Sequence, residues 1–276
     1  MKLRRSGRLV DMTSYLLRHP HQVISLSFFS ERYASAKSSI SEDLAIIKEH
    51  FEQVGAGRLR TLAGAAGGVC YLPCMVRAEA ELALTRLCVQ MTDPQRILPG
   101  GYLYMTDILG RPDYVESIGR MIASIYMDRT IDAVMTMETK GIPIAYAVAA
   151  QFNVPVVIAR RSSKVTEGAT VSINYISGSS QRIQTMLLPR RSLNTGARVL
   201  IVDDFMKAGG TMRGMINLVQ EFAAVVVGTA VFVEKQEQHS KLVEHYISLL
   251  KMVGSDEQPT IEPGNAISFI KDSFEA

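Results

Sequence analysis

One stretch constrains this chain more than any other: the fifteen residues Arg198 to Met212, RVLIVDDFMKAGGTM. Val199, Leu200, Ile201 and Val202 form a short continuous apolar run, the pattern of a strand buried on both faces. Asp203 and Asp204 follow at once, then Phe205-Met206-Lys207-Ala208, then Gly209-Gly210-Thr211. Beyond them Met212, Met215, Ile216 and Val219 recur at helical spacing. Strand, acidic pair, glycine loop and helix start together predict a pocket for a sugar phosphate. The phosphate sits on N–H groups left free where a helix begins. Glycines let backbone approach it with no Cβ in the way. The acids then face what lies beside the phosphate, either ribose hydroxyls or a magnesium ion. An acidic pair after a strand is otherwise a turn with a helix cap; the Gly-Gly-Thr and the amphipathic helix favour the pocket. Neither GxxxxGK[ST] nor GxGxxG is present, which excludes a P-loop and a dinucleotide fingerprint.

The stretch resembles the 5-phosphoribosyl 1-pyrophosphate (PRPP) binding motif of the type I phosphoribosyltransferases. That resemblance implies that the acids hold the 2′- and 3′-hydroxyls of ribose and that the loop holds the 5′-phosphate. The sequence departs from the enzymes at Lys207-Ala208, where they usually carry small hydroxylated residues. The departure keeps phosphate binding and puts catalysis in doubt.

At 276 residues the chain is comfortable for two domains, and no apolar run is long enough for a membrane span. The basic N-terminus lacks the apolar region of a secretory signal. Cys70, Cys74 and Cys88 are an odd, sparse set without nearby histidines, so reduced thiols in a cytoplasmic protein are expected and no metal site is. The charge is unevenly placed. Residues 1–74 hold ten lysines and arginines against six acids, whereas residues 75–276 hold 20 against 21. The first part is therefore expected to meet a polyanion.

Within residues 1–74 the apolar spacing predicts helices over Arg4–Arg18, over Ser27–Tyr33, and from Ser38 or Ser39 onward through Ile40, Leu44, Ile47 and Phe51. Ser39 with Glu42 fits a capping box. Strand-like pieces at Arg58–Leu62 and Val69–Leu72 flank a glycine-rich tip. Three helices and a hairpin match a winged helix-turn-helix. Lys37, Ser38 and Ser39 then face the major groove at the start of the third helix, and Arg58 and Arg60 lie on the wing. Lys2, Arg4, Arg5 and Arg8 precede the first acid, Asp11, and suit phosphate contacts. A helical domain that dimerises or packs on its neighbour is the alternative. Glu42, Asp43, Glu49 and Glu52 argue against a uniformly basic recognition helix.

Residues 75–276 read as strands alternating with helices: strands at Tyr102–Met105, Ile131–Met137, Val154–Ile158 and Ala224–Val233, helices at Arg77–Gln90, Pro112–Met127 and Gly141–Phe152. This is a doubly wound α/β domain with a mainly parallel sheet, whose ligands sit beyond the carboxyl ends of the strands. Two further loops should reach that edge. Glu138-Thr139-Lys140-Gly141 follows a strand and opens a helix, and the resemblance assigns it pyrophosphate. The polar region Arg160–Arg182 is either a lid with its own hairpin or a mobile loop, in the place of the transferases' hood. Tyr102 is either a platform for ribose or base or a core tyrosine.

Taken together, the opening MKLRRSGRLVDMT, the segment SFFSERYASAKSSISEDL, the segment KVTEGATVSINYISGSS and IVDDFMKAGGTM resemble the purine operon repressors of Gram-positive bacteria along essentially the whole chain. The resemblance implies a homodimeric repressor of purine synthesis genes that binds double-stranded operator DNA. It implies PRPP as inducer, with or without Mg2+, no required cofactor and no phosphoribosyl transfer. Lys207 adds charge to the phosphate loop, so polyphosphorylated purine nucleotides are expected to compete with PRPP. The rival is an active purine phosphoribosyltransferase with an accessory N-terminal domain.

Overall fold

The structure, a computed structural model, describes residues 3–64, 67–99, 101–162, 168–177, 182–237, 240–254 and 259–272. The chain begins with α1 (Arg5–Arg18), β1 (Val23–Ile24), α2 (Leu26–Tyr33), α3 (Lys37–Gln53), β2 (Arg58–Leu62) and β3 (Gly68–Leu72). The three strands form an antiparallel sheet in the order β1-β3-β2, which with the helices is the winged helix-turn-helix succession. Ser25 caps α2 by accepting from the Phe28 N–H at 3.1 Å. Ala34 then turns the chain in the left-handed region (φ 49°), closed by Ser35 N–H on Ser30 O at 3.1 Å. That turn delivers helical geometry at Lys37, earlier than the serines indicate. The expected capping box at Ser39 and Glu42 is therefore not formed, because Ser39 already lies inside the first turn. Phe29, Tyr33, Ile40 and Phe51 fill the core of this head.

The body follows with α4 (Arg77–Met91), β4 (Ile97–Leu98), β5 (Tyr102–Leu103), α5 (Thr106–Leu109), α6 (Pro112–Tyr126), β6 (Ala133–Met137), α7 (Gly141–Phe152), β7 (Val156–Ala159), β8 (Thr170–Ile176), β9 (Ile183–Pro189), β10 (Arg198–Met206), α8 (Gly210–Glu221), β11 (Val225–Lys235), β12 (Ile247–Gly254) and β13 (Pro259–Pro263). Six strands make the central sheet in the order β13-β12-β11-β10-β6-β7, all parallel except β13. Each face has its own core. Leu200 and Val202 point into the one built with α4, α6 and α7; Val199 and Ile201 point into the one built with α8 and the β8–β9 hairpin. This two-sided burial is why β10 reads as an unbroken apolar run.

The long polar region contributes β8 and packs it with β9 against α8, so it carries a hairpin of its own. Gly214 admits the Tyr175 ring there, 3.1 Å from where a Cβ would stand. On the opposite face α6 and α7 cross at Gly119, where an added Cβ would lie 2.8 Å from Ala147. Head and body meet at α6, as well as where His21 packs on Phe152 and Arg60 approaches Asp128. Arg120 donates to Gly55 O at 2.8 Å and Cys74 O at 3.2 Å and pairs with Glu79 at 3.0 Å. Ser124 Oγ accepts from the Met75 N–H at 2.7 Å.

Candidate ligand cleft and nucleic-acid face

At the carboxyl ends of β6 and β10 the body opens into a cleft of about 450 Å³. Its walls bring together Tyr102, Lys140 and the whole run Asp203, Asp204, Phe205, Met206, Lys207, Ala208, Gly209, Gly210 and Thr211. The floor of the phosphate loop follows from backbone chemistry. Gly209 takes φ +84°, a conformation L side chains rarely adopt, and so turns the chain into α8. The first bond inside α8 runs from Arg213 N–H to Gly209 O at 2.9 Å. The N–H groups of Gly209, Gly210, Thr211 and Met212 therefore precede any intrahelical partner and form an anion cradle.

Asp203 is buried, and its Oδ1 accepts from the Asp204 N–H at 3.0 Å. Burial pushes the Asp203 carboxyl well above the ordinary carboxylate range, and the adjacent Asp204 charge pushes it further. Burial raises Asp204 as well, against the pull of Lys140. Two such carboxyls in one pocket are best relieved by hydroxyl donors or a cation. No cluster of three or more His, Cys, Asp or Glu able to hold a metal occurs among the described residues.

Of the loop before α7, Lys140 lines the cleft but Thr139 and Gly141 do not. Thr139 is exposed on the turn, whereas Gly141 is buried: a Cβ there would lie 2.1 Å from Thr136 Oγ1 and 3.0 Å from Asp203 Oδ1. Its role is to let the start of α7 close on Asp203. Tyr102 is 43% exposed with its ring 6.5 Å from that of Phe205, so it is a wall of the cleft and not a core tyrosine. Arg161, one of the bases of the polar region expected to reach this edge, also lines the cleft, as does Ser177, which the sequence did not mark. Of its neighbours, Arg160 turns to Glu138 at 3.4 Å and Lys164 lies outside the described residues.

On the head, Lys37 and Ser38 are exposed at the start of α3, Ser39 is half-buried, and the first turn holds no acid. Arg4 is exposed just ahead of α1, Arg58 is half-buried on the wing, and Lys2 lies outside the described residues. Two expectations need correction. Arg8 is not a free phosphate arm: its side chain is 12% exposed and is bonded to Asp43 and, at 3.1 Å, to Ser35 Oγ. Asp43 is fully buried on α3, and a buried carboxylate demands charged partners. Arg5 also donates to it at 3.0 Å, while its guanidinium stays half in solvent. Arg60 is not a free wing charge either: it leans to the body, 3.6 Å from Asp128, with its side chain still 41% exposed. Asp43 is the residue that sequence reasoning misplaced, since a lone acid in a helix of acids looks solvated.

These features define a class: a winged-helix head carried on a phosphoribosyltransferase-type body. Residues 4–73 match the family described as bacterial purine repressor, N-terminal, and residues 105–263 match the phosphoribosyl transferase domain. The chain is 58% identical to the purine biosynthesis transcriptional repressor PurR of Bacillus subtilis, covering 99% of this chain and 97% of the relative. It is 48% identical to the purine biosynthesis transcriptional activator PurR of Lactococcus lactis, covering 91% and 92%. The body shares its fold with an adenine phosphoribosyltransferase from Thermoanaerobacter pseudethanolicus, at TM-score 0.53 and 22% identity, covering 61% of this chain and 99% of that one. The chain belongs to the bacterial purine repressor family. Both full-length relatives are named as transcriptional regulators, not as enzymes.

Proposed function

We propose that this protein represses purine biosynthesis genes by binding operator DNA through its head and lets go when PRPP fills the cleft. The observation that supports this most is the meeting of phosphate loop, acid pair and Lys140 in one cleft, on the same chain as a winged head. In this reading the 5′-phosphate lies on the Gly209–Thr211 amides with Lys207 beside it. The ribose hydroxyls donate to Asp203 and Asp204, and the pyrophosphate meets Lys140. A magnesium ion would take most of its oxygens from the pyrophosphate and water, because the cleft offers it little beyond the acid pair. Lys207 and the Tyr102–Phe205 wall also suit a purine nucleotide with several phosphates, which would compete for the same amides. The working form is a cytoplasmic homodimer on a two-fold operator. Repression is preferred to activation because the relative named a repressor is the more similar of the two compared.

Linkage supplies the test. If PRPP weakens operator binding by some factor, operator weakens PRPP binding by that factor. Calorimetric titration of PRPP with and without operator should give unequal affinities; equal ones would sink the reading. Incubation with PRPP, magnesium and each purine base is expected to yield no nucleotide. Nucleotide formation would favour the transferase instead.

A further inference from the structure

Glu234, next to last in β11, stands beside Met206 in the parallel register, where the sheet meets the phosphate loop. It is 8% exposed, and one carboxylate takes three donors: the Tyr246 hydroxyl at 2.6 Å, the Ser248 hydroxyl at 2.8 Å and the Lys241 ammonium. Lys241 also reaches the Tyr246 oxygen at 3.1 Å. Burial alone would raise the Glu234 carboxyl; these donors outweigh it and hold the group below its ordinary range. The segment they anchor, residues 240–246, has no helix or strand of its own.

That segment lies directly behind the phosphate loop. Leu242 N–H donates to Ala208 O at 3.0 Å, and a Cβ on Gly209 would stand 3.5 Å from Leu242 N and 3.6 Å from Val243 Cγ2. The consequence follows from peptide planarity. In a trans peptide the C=O and the next N–H point in opposite directions. Holding the Ala208 carbonyl on Leu242 therefore turns the Gly209 N–H away from the segment, toward the cleft that both residues line. Without the anchor the Ala208–Gly209 peptide is free to rotate, and one amide of the cradle leaves the phosphate.

We propose that Glu234 is a positioning residue of the effector site: through Lys241 and Tyr246 it clamps residues 241–243, which orient the Gly209 amide toward a bound phosphate. This rests on the functional reading above, which puts the 5′-phosphate on the Gly209–Thr211 loop and the pyrophosphate at Lys140. The experiment separates the two. Full-length wild type, Glu234→Gln and Tyr246→Phe are titrated calorimetrically with ribose 5-phosphate and, separately, with inorganic pyrophosphate, and operator affinity is measured alongside. Wild type should bind both ligands. Glu234→Gln should lose about tenfold to hundredfold in ribose 5-phosphate affinity, the loss of charged hydrogen bonds. Its pyrophosphate and operator affinities should not change. Tyr246→Phe, which removes one donor and keeps the ring, should show the same selective loss to a smaller degree. A proportional loss of both ligands, or none, would overturn the positioning role. If Glu234→Gln does not fold, Tyr246→Phe decides by the same criterion. Failure of the wild type to bind ribose 5-phosphate would instead overturn the functional reading.

Discussion

Asp203 and Asp43 are both buried carboxylates, and their surroundings give them opposite roles. Asp43 is compensated by Arg5 and Arg8 and locks α3 to α1. Asp203 instead holds the Asp204 amide and has a second acid beside it, with the more distant Arg161 charge as a smaller compensation. Its folded carboxyl lies above its unfolded value. The ionised form is thus better tolerated in the unfolded chain, and stability is lost as pH rises through the folded value. Asp203→Asn should therefore raise the melting temperature of the free protein at neutral pH, with a gain that shrinks below the carboxylate range; thermal melts across pH check this. Asp203→Ala with Asp204→Ala should keep operator binding and abolish the PRPP response in a gel-shift assay. Asp43→Ala leaves Arg8 buried without its partner and should cost about 3 kcal/mol of stability. Chemical denaturation reads that loss. The acid pair was legible from its neighbours in sequence. The burial of Asp43 was not, because its partners lie on another helix.

At the scale of elements, those that bury a periodic or continuous apolar pattern were readable almost residue by residue. β2 and α7 fall where their sequences place them, and β10 leads into α8 as expected. The start of α3 was not, since the αL turn at Ala34 overrides the serine signal. β12 and β13 also escaped notice. β13 pairs antiparallel on the sheet edge and β12 follows a polar segment, so neither repeats the strand–helix alternation that marks the rest. The head's contact with DNA is an element property too. Arg4 precedes α1 in solvent, so Arg4→Ala should reduce the salt slope of operator binding by about 0.9 if it meets one phosphate. Arg60→Ala should leave that slope unchanged, because the wing turns this side chain toward Asp128. Binding measured over a salt series distinguishes the two.

The whole molecule joins cleft and head through a run of packed contacts. Asp203 abuts Gly141 at the start of α7, α7 meets α6 at Gly119, and α6 carries Arg120 onto Gly55 and Cys74 at the root of the wing. Arg120→Met should leave PRPP affinity near wild type and reduce the factor by which PRPP weakens operator binding. Operator titrations with and without PRPP measure that factor, and an unchanged factor would remove Arg120 from the coupling. By itself the sequence determined the order of elements, the two-part organisation and the phosphate loop, because each is written in local periodicity and in adjacent residues. Only the tertiary structure decided which arginines remain free for DNA, which bases of the hood enter the cleft and what holds the loop from behind. Those outcomes depend on charges buried by contacts that local sequence does not announce, as Arg8 is by Asp43, on another helix, and Lys241 by Glu234.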